Sequence, residues 1–415
     1  MIEAIRNALK IPDLRKKILF TLFILLIYRL GAHIPVPGVN IAALKALFAK
    51  ESGIFGFLDL FTGGALSNFA IFSLGIMPYI TASIIMQLLT VAIPKLEEWQ
   101  KEGEVGQRKI TQMTRYFTLV LAIVESIGYT LIFQAKLGTP FSVLGRFLIV
   151  ITLTAGTALI MWLGELITER GIGNGMSLII FASIVSKMPQ AVIQTFRIIS
   201  PLGAIGFFVI LFVILIAIIV MEKGQRRIPV QYAKRVVGRK MYSGGSTYIP
   251  LKINSAGVIP IIFASALLQV PATLSTFFPG KLLWLQNSLK SGSLVRILFE
   301  TVLIVFFAYF YTAIVFNPIE LADNIKKYGG FVPGVRPGRP TAIHLDKVLN
   351  RITLPGSIFL AGIAILPDIF GGQLGIPFFQ NYGGTSMLIM VGVALETMMQ
   401  LEAQLLQRHY EGFLR

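Results

Sequence analysis

Residues 75–87 read GIMPYITASIIMQ, and residues 257–269 read GVIPIIFASALLQ. The glycine, the proline, an isoleucine, the Ala-Ser pair and the closing glutamine stand at the same offsets in both stretches. An apolar chain matches itself easily at aliphatic positions, but a membrane-like composition does not supply glycine, proline and glutamine by default. We read the pair as an internal repeat, one copy in each half of the chain.

The chain around the repeat has 415 residues, 55% of them hydrophobic and only 14% charged. A soluble protein of this length could not carry that apolar surplus on its surface, so a polytopic membrane protein is expected. Cysteine is absent, which excludes disulfides and thiolate-bound metals, and His33, His344 and His409 are too scattered to form a metal cluster. No cofactor and no metal site are expected. The first apolar run, Ile18 to Leu30, continues into the Pro35-Val36-Pro37-Gly38 turn without a small-residue cleavage site, so it reads as an anchored first span.

Apolar segments able to cross a bilayer, about 20 residues each, fall at 16–35, 69–92, 113–135, 143–166, 175–197, 201–221, 255–276, 294–316, 352–370 and 383–404. The expected fold class is therefore an all-α polytopic membrane protein of ten helices. Most of the 37 Lys and Arg residues lie in the N-terminus, in the loops after spans two, four, six and eight, and in the C-terminus. Such residues accumulate on the cytoplasmic side, which puts both termini there. It also makes the net charge of +17 mostly a one-sided surface and excludes a soluble nucleic-acid binder. The repeats occupy spans two and seven, the second helix of each set of five. Five crossings per half bring the halves in from opposite sides, giving two inverted halves, 1–200 and 201–415, with a special site near the midplane. Pro78 and Pro260 are expected to bend or loosen their helices there.

Inverted repeats suit a secondary transporter of a small solute, but the chemistry for one is sparse. The ionisable residues counted within spans are Arg29, Glu125, Glu165, Glu300 and Glu396, most of them near predicted ends, whereas coupling usually needs a midplane charge. Glu396 is the best candidate, and a structural role near the end of span ten suits it better. Helical spacing places Ile80, Ile84 and Gln87 on one face of the first copy, and Ile262, Ala266 and Gln269 on the matching face of the second. Aliphatic side chains converging on an axis make a dewetting constriction that blocks ions without using charge. Packed core explains most isoleucines in such a chain, and only the symmetry sets these apart. A third class, a scaffold that merely anchors cytoplasmic proteins, would need no such seal.

Between spans one and two, GIFGFLDLFTGGALSNF (residues 53–69) is too short and glycine-rich to cross again. It predicts a small movable helix, apolar through Phe55, Phe57, Leu58 and Leu60, with Gly63-Gly64 as a hinge. A loop lying on the outer interface is the competing reading. Loops 222–253 and 317–352 are long for a compact membrane protein. The first carries Arg226, Arg227, Lys234, Arg235, Arg239 and Lys240, which suits phosphate backbones or an acidic protein. The second is rich in Gly and Pro turns that would present Arg336 and Arg339 outward. RGIGNG (residues 170–175) has no strand before it and predicts a tight turn, not a nucleotide loop. No ATPase motif is present, so energy must come from a partner or a gradient.

FTGGALS (61–67), GIMPYI (75–80), QLLT (87–90), MWLGELITERGIGNG (161–175), GQRRIPVQYAKR (224–235), FNPIELADN (316–324) and FVPGVRPG (331–338) together resemble the SecY family, the channel subunits of the bacterial protein translocon. The resemblance runs end to end. It implies an hourglass channel that passes unfolded secretory polypeptides across the cytoplasmic membrane and releases apolar segments sideways into lipid, with no enzymatic activity of its own. The family's pore ring falls on Ile80, Ile84, Ile180, Ile184, Ile262 and Ala394, or Leu395 if the last position slips. The plug falls on roughly 54–66: Ile54, Phe55, Phe57, Leu58, Leu60, Gly63, Gly64 and Leu66. The lateral gate carries Gln87 and Thr90 on one side and Asn254 on the other. Implied partners are the small membrane subunits SecE and SecG, the SecA ATPase, the ribosome with its RNA docking on the basic loops, signal sequences and secretory chains, and membrane lipids.

Overall fold

The computed structural model describes residues 6, 8–39, 41, 44–45, 54–137, 142–198, 200–232, 235–237, 240–242, 246–277, 288, 293–374, 378 and 384–413. Helix α1 (Pro12–Gly31) is followed by the short α2 (Ile54–Phe61), then α3 (Met77–Ala92), α4 (Pro94–Lys101), α5 (Glu104–Leu137), α6 (Val143–Arg170) and α7 (Gly175–Ile198). The second half runs through α8 (Pro201–Lys223), β1 (Gln225–Tyr232), β2 (Arg235–Val237), β3 (Lys240–Tyr242), β4 (Ser246–Lys252) and α9 (Ile259–Phe277). It closes with α10 (Leu294–Val315), α11 (Pro318–Lys327), β5 (Gly330–Phe331), α12 (Arg339–Leu374) and α13 (Gly384–Phe413).

Each of the ten expected spans has its helix. Seven of the helices are by themselves long and apolar enough to cross a membrane among the described residues, and α3 with α4, bent by 99° at Ile93, makes an eighth. Helix α1 differs by carrying Arg15, Lys16, Lys17 and Arg29, and α9 is apolar over Ile259–Leu268. The protein is an α-helical multi-pass membrane protein. Its largest core cluster joins buried residues of α1, α3, α6, α7, α8, α9, α10, α12 and α13.

The two prolines of the repeat do not bend their helices. Pro78 sits in the first turn of α3, and Pro260 is the second residue of α9. The residues 69–76 expected as helix are turns and one isolated bridge. A proline at a helix start lacks only an N–H that has no partner in the helix anyway, and its ring fixes the φ the helix needs. The glycines three positions earlier complete the device: Gly75 has φ +59° and Gly257 has φ +62°, the left-handed region that favours glycine. The repeated Gly-x-x-Pro is thus a turn followed by a helix start, used once in each half.

The two long basic loops, expected as separate features, fold together. Strand β1 pairs antiparallel with β4 from Gln225↔Lys252 to Gln231↔Ser246, and β5 from the second loop adds to its other edge at Gln231↔Phe331 and Tyr232↔Gly330. Alternation along β1 buries Ile228 and Val230 against Leu251, Ile325, Val332, Leu345 and Leu349. Residues 339–351, expected as loop, are the first turns of α12, which begins at Arg339 and carries two of those core leucines. RGIGNG is the tight turn expected, with Gly173 at φ +86°. Asn174 caps α7 by accepting from the backbone N–H of Met176 and Ser177 at 3.1 and 3.3 Å.

Candidate functional site

Ile80 and Ile84 on α3, Ile180 and Ile184 on α7, and Ile262 on α9 are all buried and belong to one apolar cluster. Helical geometry explains the pairing, since residues four apart on α3 and on α7 share a face. Helices α3 and α9, the two copies of the repeat, pack against each other. Ala394 on α13 is only partly buried; its neighbours Val393 and Ile389 belong to the cluster, and the alternative Leu395, though buried, does not.

An open cavity of about 420 Å³ reaches this layer. Ile80, Ile180 and Ile262 line it beside Ile259, Phe263 and Met176, and the polar groups on its wall include Gln87, Glu169 and an Arg115–Glu165 pair at 2.7 Å. Aliphatic carbon and polar groups therefore share the wall of one open cavity. On α7 the residues lining the cavity end at Ile180. Seven residues further along, about 10 Å at 1.5 Å per residue, Lys187 meets a different environment.

There α2 and the turns after it close the other side. Leu60, Phe61 and Ala65 join the cluster that holds the isoleucines, while Leu58 and Leu66 join a second cluster with Phe69, Phe133 and Leu153. The segment is buried on both flanks, so the reading of a loop on the outer interface does not hold. Polar bonds fix it as well. Tyr28 donates to the carbonyl of Thr62 at 3.2 Å and lies 2.6 Å from the Ser183 hydroxyl. Arg29 donates to the Gly63 carbonyl at 2.8 Å, and Lys187 pairs with Asp59 at 2.8 Å. The exit of the segment is tied to the turn after α1, with Val36 N–H on the Phe69 carbonyl and Ile71 N–H on the Ile34 carbonyl. The side chains of Ile54, Phe55 and Phe57 lie outside the described residues.

Gln87 and Thr90 lie on α3, where Thr90 donates to the Gln87 carbonyl at 2.7 Å and the buried Gln87 Oε1 has no partner. Asn254 bonds within its own half, donating to Glu222 at 2.6 Å and to the Gly257 carbonyl at 2.9 Å, where it holds the turn before α9. The side chain of Gln269 is outside the described residues. On the sheet, Arg226 and Arg227 are exposed, the latter 4.7 Å from the Tyr248 ring centroid. Arg336 and Arg339 are exposed at the turn before α12, and Thr341 braces that turn through the Arg336 carbonyl at 2.8 Å. Lys234 and Arg239 lie outside the described residues, as do the side chains of Arg235 and Lys240. Among the described residues no cluster of His, Cys, Asp or Glu is arranged to hold a metal.

Sequence reasoning passed over Lys187 and Asp59. Lys187 lies inside the span expected at 175–197 yet was not counted among its ionisable groups, although a lone lysine in SLIIFASIVSKMPQA (residues 177–191) is a legible signal.

A family model described as SecY matches residues 70–398. Over the whole of both chains, the sequence is 51% identical to the protein translocase subunit SecY of Streptomyces scabiei. Among solved structures it is similar to a SecY protein whose plug domain is described as stabilising the closed state of the translocation channel, with a TM-score of 0.64 at 18% identity over 94% of this chain and 92% of that one. It is also similar to Sec61 in the canine ribosome-channel complex, with a TM-score of 0.62 at 17% identity over the same shares.

Proposed function

Since the chain belongs to the SecY family of protein translocase subunits and is a protein-conducting channel, we propose that polypeptide crosses between Ile80, Ile84, Ile180, Ile184 and Ile262, with residues 54–66 as the plug. The chain is not an enzyme, and the reading as a small-solute transporter is set aside. The observation that supports the proposal is that those five isoleucines, from three helices and both halves, are buried in one apolar cluster that also takes in Leu60 and Phe61 of α2, while three of them line an open cavity. Apolar side chains there exclude ions while yielding to a passing chain. At the sixth position either the small Ala394 leaves a gap in the ring on the α13 side or Leu395 takes its place.

The seam between α3 and α9 is the exit for apolar segments into lipid. Gln87, Thr90 and Asn254 line it. Membrane hydrogen bonds contribute only about 0.6 to 2 kcal/mol each, a strength that lets a seam close and still part. The halves 1–200 and 201–415 move apart about it. The sheet of β4, β1 and β5 faces the cytoplasm with both termini, in a bacterial inner membrane. Its exposed Arg226, Arg227, Arg336 and Arg339 suit docking of the ribosome, the partner that a relative's complex displays, and of the SecA ATPase. Lys234, Arg235, Arg239 and Lys240 extend that surface. The flank of α8, apolar and mostly exposed, suits a small membrane subunit such as SecE or SecG.

A stalled secretory chain tests the reading: with a photoreactive residue at position 80, a channel crosslinks that chain to its waist. No crosslink at position 80, with crosslinks elsewhere on the protein, would overturn the path.

A further inference from the structure

We propose that Asp59, Lys187 and Arg29 form a charge latch that holds the plug closed, so that Lys187 and Arg29 set how readily the resting channel opens. The inference rests on the plug reading above and adds residues to it.

Both cations come from walls of the channel, Arg29 from α1 and Lys187 from α7, and both reach the same short stretch of plug, Arg29 at a backbone carbonyl and Lys187 at a carboxylate. The Asp59 carboxylate works in two directions. One oxygen takes Lys187 at 2.8 Å, and the other accepts the backbone N–H of Ser67 at 2.7 Å, so it ties the helix of the plug to its returning limb and both to α7. Arg29 holds the apex between them through the Gly63 carbonyl at 2.8 Å. The ion pair is well covered, with the Asp59 side chain 10% exposed and Lys187 27% exposed. Displacing the plug therefore strips Lys187 of its counter-ion in a site of limited solvation.

The glycine pair expected as a hinge has a second purpose here. A Cβ on Gly63 would lie 2.8 Å from Arg29 Nη1, and one on Gly64 would lie 2.6 Å from Lys187 Cε. At φ +63° and +91°, both positions also favour glycine on backbone grounds. Gly63-Gly64 is the seat into which the two cations fit, so the same dipeptide that lets the plug turn back also lets the latch close on it.

The test uses the full-length channel, reconstituted with its partner subunits, and reads the resting KCl conductance without a translocating chain. Asp59→Asn keeps an acceptor for Ser67 and removes only the charge; Lys187→Met removes the other half of the pair. Each is expected to raise the conductance about tenfold, allowing for partial exposure of the pair. The double variant should leak no more than the leakier single, and Lys187→Arg should recover most of the seal. Additive singles, or unchanged singles beside a leaky deletion of residues 54–66, would overturn the latch and leave the plug reading standing. A deletion that does not leak would overturn the plug reading and the latch with it. Helix content by circular dichroism confirms that each variant is assembled.

Discussion

Phe61→Ala removes the ring that the plug helix presses into the isoleucine layer. Phe61 is 2% exposed here, and in a displaced plug as proposed that ring would meet water. Burying a phenylalanine side chain contributes about 1.5 to 3 kcal/mol, and the alanine variant loses most of it in the closed state alone. At 1.4 kcal/mol per factor of ten, the open fraction at rest should rise by about ten- to a hundredfold. Lys187, Arg29 and Tyr28 still hold the plug backbone and its acidic side chain, so the plug loosens without detaching. The assay is KCl conductance of the reconstituted channel with no substrate present, and Phe61→Leu, which keeps most of the apolar area, should fall between. Wild-type conductance in an assembled Phe61→Ala channel would refute the idea that α2 closes the waist by packing.

Other outcomes are expected. Ile80→Asn with Ile262→Asn places two amides in the apolar layer from opposite halves and should raise ion leak in reconstituted vesicles, and an unchanged leak would remove the sealing role of the isoleucines. Arg336→Glu should slow partner-driven translocation severalfold while helix content stays normal; normal transport would sink the docking assignment. Gly75→Ala and Gly257→Ala both force alanine to positive φ, a strain of about 1 to 2 kcal/mol. A Cβ on Gly75 would also lie 3.0 Å from Thr62 Cγ2, whereas one on Gly257 would meet nothing within 4 Å. Thermal unfolding in detergent should therefore show Gly75→Ala as the more damaging change, and equal shifts would contradict that difference in packing.

The helices were legible because lipid requires long apolar segments, and each of the ten has its counterpart in the fold. The repeat placed Ile80 and Ile262 at like positions, and both lie in one buried cluster and on the wall of one cavity. The prolines were misread because Pro78 and Pro260 follow apolar residues in an unbroken apolar run, where a helix start and a kink share one local signature. Only the positive φ of Gly75 and Gly257 separates the two. The β1–β4–β5 sheet was missed for a different reason. Its alternation over QRRIPVQY (residues 225–232) was masked by arginines that read as topology signals, and its third strand arrives from a loop about a hundred residues later. The Asp59–Lys187 pair spans a sequence separation of 128, a distance over which no local pattern carries information.

The open cavity beside the isoleucines has an electrical consequence. Its lining joins Glu169 and Asn174 to Ile80, Ile180 and Ile262, so on the proposed path electrolyte entering it would carry the potential of one aqueous phase toward those isoleucines. With the waist and plug proposed above, the membrane voltage would fall mainly across the isoleucines and the segment packed beneath them, not across the full hydrocarbon thickness of about 30 Å. A unit charge on a translocating chain exchanges about 2.3 kcal/mol per 100 mV, and it does so within a few residues of travel. The waist is thus the place where an electric field can pull on a polypeptide, one charged side chain at a time.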